Sequence, residues 1–200
     1  MPDEELTNAD GRRARRDRNK YAVVDAYLDL VRAGNQRPSI ADVAEHSGVS
    51  HRSVFRYFAD KDELARTAIE RQHAVARPVA MLTVGPGAPL DERIDKFVTR
   101  RMELFEVIAP VARLSRSLVS IQPLVAAELT ATRKQLRAQI EHLFRAELEA
   151  LDDQGPDALA AIDVVCSFES VELLRVDQRR SADATSAVLR RSIERLLTSA

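Results

Sequence analysis

The chain has 200 residues, a length that suits one compact domain or a small domain joined to a larger one. Hydrophobic residues make up 45% and charged residues 30% of the sequence, so the chain can bury a core and wholesale disorder is not expected. Aromatic residues are only 4%, which disfavours a β-sandwich or barrel and favours helices. The formal net charge of −1 argues against a protein that coats nucleic acid, but it does not exclude a local basic patch.

The N-terminal segment separates its charges. Residues 1–10 carry a net −4 and residues 11–20 a net +5. The wider segment 11–77 is also net +5, which leaves −6 for the rest of the chain. Charge alone does not distinguish a binding patch from an ordinary solvated surface. We expect residues 1–18 to form a flexible, basic N-terminal arm.

Beyond residue 18 the apolar residues recur at helical spacing, and no sustained period-2 alternation is present. A connection is predicted at Gly85–Pro89, and Pro110, Pro123 and Gly155–Pro156 are expected to divide the rest into helix-sized pieces. One long helical segment is predicted over about 124–151. The expected fold is all-α, and its five apolar stripes are Val23, Ala26, Tyr27, Leu30 and Val31; Leu90, Ile94, Phe97, Val98, Met102 and Phe105; Val125, Leu129, Leu136, Ile140, Leu143, Phe144, Leu148 and Leu151; Leu159, Ile162, Val165, Cys166 and Leu173; and Val188, Leu189, Ile193, Leu196 and Leu197.

Residues 39–64 carry the most informative local pattern, SIADVAEHSGVSHRSVFRYFADKDEL. Ser39 with Asp42 predicts a capping box, and Gly48 predicts the sharp end of a short helix. Ser50 can cap a second short helix, whose apolar side is predicted to be Val54, Phe55 and Phe58. A third cap, Asp60 with Glu63, opens the next helix.

Two short helices joined by a turn that contains glycine are typical of a helix-turn-helix. Its second helix needs an apolar back and a polar N-terminal front that reaches base edges in the major groove. His51, Arg52, Ser53 and Arg56 supply such a front. The pattern is also compatible with a helical hairpin that binds no nucleic acid.

The stretch from about Asn19 to Leu64 resembles the N-terminal domain of the tetracycline-repressor (TetR) family of bacterial transcription regulators. The matching segments are Ala33-Gly34, Ser39–Ala44, Gly48–Ser50, Phe55–Phe58 and Asp60–Leu64. The sequence departs from the family pattern at Arg52, where glycine is frequent, and at Phe55, where tyrosine is usual.

This resemblance implies a helix-turn-helix DNA-binding domain over 19–66 and a helical domain for ligand binding and dimerisation over 67–200. It implies that Arg52 and Arg56 contact guanine or phosphate, and that His51 and Ser53 contact bases or phosphates. Ser39, Ser50, Tyr57 and Lys61 would complete the set, mainly at the backbone. Arg16 and Arg18 would lie near the duplex, either in the minor groove or in a tail that adds only screened attraction.

For the body, the resemblance implies a homodimer through about 156–198, palindromic operator DNA and a small-molecule effector. An apolar stripe that faces a partner and one that faces its own core look alike in sequence. The candidate ligand pocket is Met102, Phe105, Arg113, Leu118, Phe144, Cys166, Phe168 and Glu169, all of which could equally be ordinary core or stripe-edge residues. Glu169 would need a basic ligand or a neighbouring arginine such as Arg113 if it were buried.

Enzyme signatures are missing from the sequence. The four histidines have no metal-ligand spacing, and neither a glycine-rich phosphate loop nor a GxSxG elbow occurs. The single cysteine, Cys166, excludes an intrachain disulfide and a Cys-rich zinc site. We therefore expect no catalytic residues, no metal and no cofactor. Since no membrane span or secretion signal is visible, we expect a cytoplasmic regulator, most simply a repressor; the alternative is a helical adaptor that binds only protein.

Overall fold

The computed structural model describes the backbone of residues 3–35 and 37–198, and the side chains of residues 14–35, 37–60 and 63–198. Within those residues the fold is all-α, as predicted, and contains no strand. The helices are α1 (Asp3–Arg32), α2 (Ile40–Ser47), α3 (His51–Tyr57), α4 (Lys61–Ala80), α5 (Leu90–Leu118), α6 (Pro123–Leu143), α7 (Arg145–Ala150), α8 (Gly155–Val165), α9 (Phe168–Glu172) and α10 (Ala182–Thr198). A 3-10 turn, Asp152–Gln154, precedes α8, and a π-helical turn, Leu173–Asp177, follows α9.

The structure places residues 3–18 in α1 rather than in an arm that precedes the first helix. No proline occurs between residues 3 and 32, and Ala, Arg, Leu and Glu are among the strongest helix formers. α1, which packs Val23, Val24 and Leu28 in a hydrophobic core, therefore continues back to Asp3.

Capping at the three short connections follows the predicted chemistry. The Ser39 hydroxyl accepts from the Asp42 amide at 3.1 Å, and the Asp42 carboxylate accepts from the Ser39 amide at 2.9 Å. Gly48 ends α2 at φ 65°, a left-handed conformation that glycine adopts at little steric cost. The Glu63 amide donates to the Asp60 carboxylate at 2.7 Å at the start of α4. These caps confirm the positions of α2, α3 and α4.

Two expectations about helix interruptions differ from the structure. Pro110 lies inside α5, which continues through it; a proline removes only one backbone donor, and the rest of the helix keeps its hydrogen bonds. The segment predicted as one helix over 124–151 is divided at Phe144, where α6 gives way to α7. Pro123 and Gly155–Pro156 do begin helices, α6 and α8.

The chain forms two compact units. The first contains the residues up to Val75 and Ala109–Glu128, and the second contains Ala76–Ile108 and the residues from Leu129 onward. This grouping differs from a division near residue 66, because residues 109–128 share a unit with α1–α3. The reason is packing that a linear pattern does not show: Val111 lies against the core of the first unit.

Each unit has its own hydrophobic core. The core of the first unit consists of Val23, Val24, Ala26, Leu28, Val43, Val49, Val54, Tyr57, Phe58, Leu64 and Ala68. In the second unit, α7, α8 and α10 pack together, and its fully buried side chains include Ile94, Phe97, Ile140, Leu143, Phe144, Ile162, Leu189 and Ile193. Within the described residues, none of the helices combines the length and hydrophobicity that crossing a bilayer requires.

Candidate nucleic-acid interface

The N-terminal end of α3 presents a polar surface. Ser50 caps the helix, its hydroxyl accepting from the Ser53 amide at 3.3 Å and lying 3.0 Å from the Ser53 hydroxyl. His51, Arg52 and Arg56 are exposed. Arg52 makes no hydrogen bond or ion pair with any described residue, so its planar fork of donors is available to an external partner.

The back of α3 is buried against the core of the first unit. Val54, Tyr57 and Phe58 form this back at i, i+3 and i+4 spacing. The prediction for Phe55 is wrong: its side chain is 59% exposed, because Tyr57 occupies the buried position instead. The Phe55 ring meets the His51 ring edge-on, with centroids 5.0 Å apart. The exposed side of α3 therefore carries an aromatic pair beside its two arginines.

Tyr57 joins α3 to α1. Its hydroxyl accepts a hydrogen bond from the Asn19 side chain at 3.2 Å, and the Arg56 guanidinium lies 5.4 Å from the ring centre. The hydrogen bonds from Asn19 and Arg56 lower the pKa of Tyr57 against the opposing effect of burial. The ring is part of the core, so any phosphate contact by Tyr57 is confined to its hydroxyl.

The remaining predicted DNA contacts are spread over three helices. Ser39 is the N-cap of α2, where its hydroxyl already accepts from Asp42. Arg16 and Arg18 are exposed on α1. The side chain of Lys61 lies outside the described residues. The structure thus brings Ser50, His51, Arg52, Ser53 and Arg56 together on one short helix, and it places Ser39, Arg16 and Arg18 on neighbouring elements of the same unit.

Sequence reasoning missed the ion pair between Lys20 and Glu63, at 3.1 Å. Glu63 also accepts from the Ala59 amide at 2.8 Å, and Lys20 lies 5.1 Å from the centre of the Phe58 ring. These contacts connect α1 to the start of α4 and so support the position of α3 between them. No sequence signal indicates the pair, since 43 residues separate its members.

The candidate ligand-pocket residues are divided between the two units. Met102, Phe105, Phe144, Cys166 and Phe168 are buried in the second unit. Arg113 and Leu118 belong to the first unit. Glu169 is exposed and pairs with Arg133, so it corresponds to the stripe-edge alternative rather than to a buried carboxylate.

The first unit contains a small cavity of about 30 Å³. Its lining includes Tyr27, Ile69, Leu114, Leu118 and Gln122. The side-chain oxygen of Gln122 is buried without a hydrogen-bond partner among the described residues. This volume accommodates about one water molecule, far less than a drug-sized ligand needs.

Two buried arginines of α5, Arg93 and Arg101, were also missed. Both fall on the apolar stripe that contains Ile94, Phe97 and Phe105, at helical spacing. The sequence signal that could have identified them is an arginine at the spacing of an apolar stripe. Such a residue needs a partner, since charged side chains are almost never fully buried without one.

The fold and the exposed polar end of α3 define a helix-turn-helix protein with a helical body. Residues 31–68 match the model of the family described as bacterial regulatory proteins, tetR family. The resemblance to the TetR family is therefore confirmed over the segment that runs from the end of α1 into α4.

Solved structures of similar fold cover about nine-tenths of the chain. A protein from Rhodococcus sp. described as a TetR-family transcriptional regulator has a TM-score of 0.69 at 17% identity, covering 90% of this chain and 100% of its own. A transcriptional regulator from Rhodococcus sp. RHA1 has a TM-score of 0.65 at 16% identity, covering 91% and 95%. A TetR-like transcriptional regulator from Rhodococcus sp. RHA1 has a TM-score of 0.59 at 18% identity, covering 92% and 97%. Among curated protein sequences, none matches this chain.

Proposed function

We propose that the protein is a homodimeric, ligand-responsive transcriptional regulator that acts in the cytoplasm as a repressor and leaves its operator when a small molecule binds. The observation that carries DNA binding is the arrangement of α3: a capped N-terminus, a buried back, and an exposed front with His51, Arg52 and Arg56. This combination of a capped end and exposed donors is what contact with base edges in the major groove requires.

In this proposal, Arg52 and Arg56 donate to guanine or phosphate, and Ser53 and His51 contact base edges or phosphate oxygens. Ser39, Ser50, the Tyr57 hydroxyl and Lys61 contact the DNA backbone, which positions α3 without reading sequence. Arg16 and Arg18 on α1 add attraction to the duplex. Burial of Val54 and Phe58 supports the reader role because it holds the helix rigidly from behind.

Dimerisation is proposed through about 156–198, because one seven-residue helix offers few base contacts and two copies can read two half-sites. The apolar stripe of α10 is not free for this purpose, since Leu189 and Ile193 are fully buried within the chain. Val164, Leu173 and Val176 are exposed in the same segment and supply apolar surface for a partner. Size-exclusion chromatography with light scattering at micromolar concentration tests this directly; a monomer mass contradicts it.

Fluorescence anisotropy tests DNA binding. The full-length protein is titrated onto labelled duplex from the region flanking its own coding sequence, with an unrelated duplex for comparison, at 50 and 200 mM salt. We expect saturable binding that prefers the first duplex and weakens with salt, because phosphate contacts release counterions. Arg52→Ala should reduce the affinity, whereas Arg145→Ala, which removes an exposed charge from α7 outside the proposed dimer segment, should leave it unchanged.

The alternative, a helical adaptor that binds only protein, predicts a different result. It requires no saturable binding to either duplex and no difference between the two variants. If the operator lies outside that region, selection from a pool of random duplexes can still identify the preferred sequence. Recovery of such a sequence supports the regulator, and failure to recover one supports the adaptor.

A further inference from the structure

Arg101 of α5 is buried in the second unit without a carboxylate partner. It is 3% exposed. Its terminal nitrogen Nη2 donates to the Leu136 carbonyl at 3.2 Å and to the Gln139 side-chain oxygen at 3.4 Å. Among the described residues, its Nε and Nη1 make no hydrogen bond, and neither atom is one of the fully buried side-chain atoms that lack a partner.

The guanidinium lies within a chain of four phenylalanine rings. Its central carbon is 4.7 Å from the centre of the Phe97 ring and 5.8 Å from that of Phe105. Phe97 packs edge-on against Phe144, and Phe105 packs edge-on against Phe168, with centroids 5.8 and 5.5 Å apart. The rings make the surroundings largely apolar, and cation–π attraction adds to the two Nη2 hydrogen bonds in stabilising the charge.

Arg93, two helical turns earlier on α5, shows how this chain buries an arginine for structure. It is 5% exposed, and its Nη1 donates to Glu147 at 2.9 Å and to the Leu143 carbonyl at 2.7 Å. Its Nε donates to the Ala88 carbonyl at 2.8 Å, and its Nη2 bonds Glu147 as well. Every nitrogen of Arg93 is used and its charge is paired, whereas Arg101 has neither property.

Among the described residues, no carboxylate forms an ion pair with Arg101, and the one that acts on it from nearby, Asp163, is already paired. Burial lowers its pKa to about 10, with Cys166 and Asp163 opposing the shift, so the guanidinium stays positive at neutral pH. Burial raises the pKa of the Cys166 thiol to about 12, so that group is neutral. Asp163 pairs with Arg137 at 3.7 Å. A buried charge in this state costs stability.

We propose that Arg101 binds the carboxylate of an amphipathic organic acid, whose apolar part lies against Phe105 and Phe168. The acid supplies the missing counter-charge to the unused Nε and Nη1 donors, in the fork geometry that arginine shares with carboxylates. This inference deepens the proposed function by naming the class of effector and the side chain that selects it, and the effector role rests on that function.

Isothermal titration calorimetry on the full-length protein tests the site with octanoate, benzoate and 4-phenylbutanoate. Octanamide and octylamine serve as the matched neutral and cationic probes. We expect at least one acid to bind in a saturable manner, and Arg101→Gln to weaken it tenfold or more. Arg100→Gln, which removes a neighbouring charge already paired with Glu103, should leave the affinity unchanged. Equal binding of acid and amide, equal binding to the Arg101→Gln variant, or binding of none of the three acids overturns the inference.

Urea unfolding provides a second measurement that does not depend on the probes. Arg101→Met removes an uncompensated charge, so its midpoint without ligand should equal or exceed that of the wild type. A fall as large as that caused by Glu147→Gln shows a structural role and overturns the inference.

The anisotropy assay separates this inference from the proposed function. DNA binding without acid binding contradicts the inference alone, and Arg101-dependent acid binding without DNA binding contradicts the proposed function alone. An acid that binds through Arg101 but does not change the DNA affinity overturns the effector role.

Discussion

Arg93 and Glu147 form a bidentate ion pair that joins α5 to α7. Nη1 of Arg93 donates to one carboxylate oxygen at 2.9 Å, and Nη2 bonds the other. Both side chains are largely buried. Such fork geometry combines two charge-assisted hydrogen bonds, and it makes the carboxylate the counter-ion of a guanidinium that also donates to two backbone carbonyls.

Glu147→Gln should destabilise the protein by about 2–3 kcal/mol, because it leaves a buried guanidinium without its counter-charge. Urea unfolding followed by circular dichroism measures this as a lower midpoint. Glu149→Gln removes an exposed carboxylate from the same helix and is the control. Equal midpoints for the two variants would show that the pair contributes little.

The same pair predicts a dependence on pH. Hydrogen bonding to Arg93 lowers the pKa of Glu147 below its ordinary value of 4.5. The stability that the pair contributes is therefore fully present above about pH 4.5 and is lost as the pH falls through the lower folded pKa. The difference in unfolding free energy between wild type and Glu147→Gln should shrink on acidification below that value. A difference that stays constant to pH 3 contradicts the assignment.

Truncation of two adjacent side chains on α3 should change the stability of the protein by very different amounts. Val54→Ala removes a buried side chain and should cost about 2 kcal/mol, whereas Phe55→Ala removes an exposed ring and should change stability by less than about 0.5 kcal/mol. Thermal unfolding of both variants checks this. A large loss of stability in Phe55→Ala would place its ring in the core after all.

Arg52 and Arg56 can be assigned as base or phosphate contacts by binding to operator variants. A bidentate arginine–base contact contributes about 1–3 kcal/mol of discrimination. If either arginine reads a base, its change to alanine should reduce the preference at one operator position and leave the others intact. Weakening that is equal on all duplexes identifies a phosphate contact, and a smaller salt slope should then accompany it.

Local chemistry made much of the candidate interface predictable. Helix caps involve residues only three or four positions apart, as at Ser39, Gly48, Ser50 and Asp60. The ends of α2, α3 and α4 could therefore be derived from short patterns. The all-α class was predictable for the same reason, since helical periodicity depends on neighbours along the chain.

The other features of the fold and the candidate site could not be predicted, because they depend on contacts between residues far apart in the sequence. Phe55 and Tyr57 are both aromatic, and only the packing of α3 against α1 decides which of them is buried. The candidate ligand residues were chosen from the linear sequence, but residues 109–128 belong to the first unit, so Arg113 and Leu118 fall in a different unit from Phe105 and Phe168.

The sequence by itself determined the helical class, the caps, and the polar front of α3, because each depends on interactions within one or two turns. The tertiary structure decided which apolar residues face a core, that Glu147 neutralises Arg93, and that Arg101 has no such partner. The contacts of Arg101 and Arg93 join residues 35 and 54 positions apart, and a linear pattern contains no information about the geometry of such contacts. A net charge of −1 likewise conceals both the exposed arginines of α3 and the two buried arginines of α5.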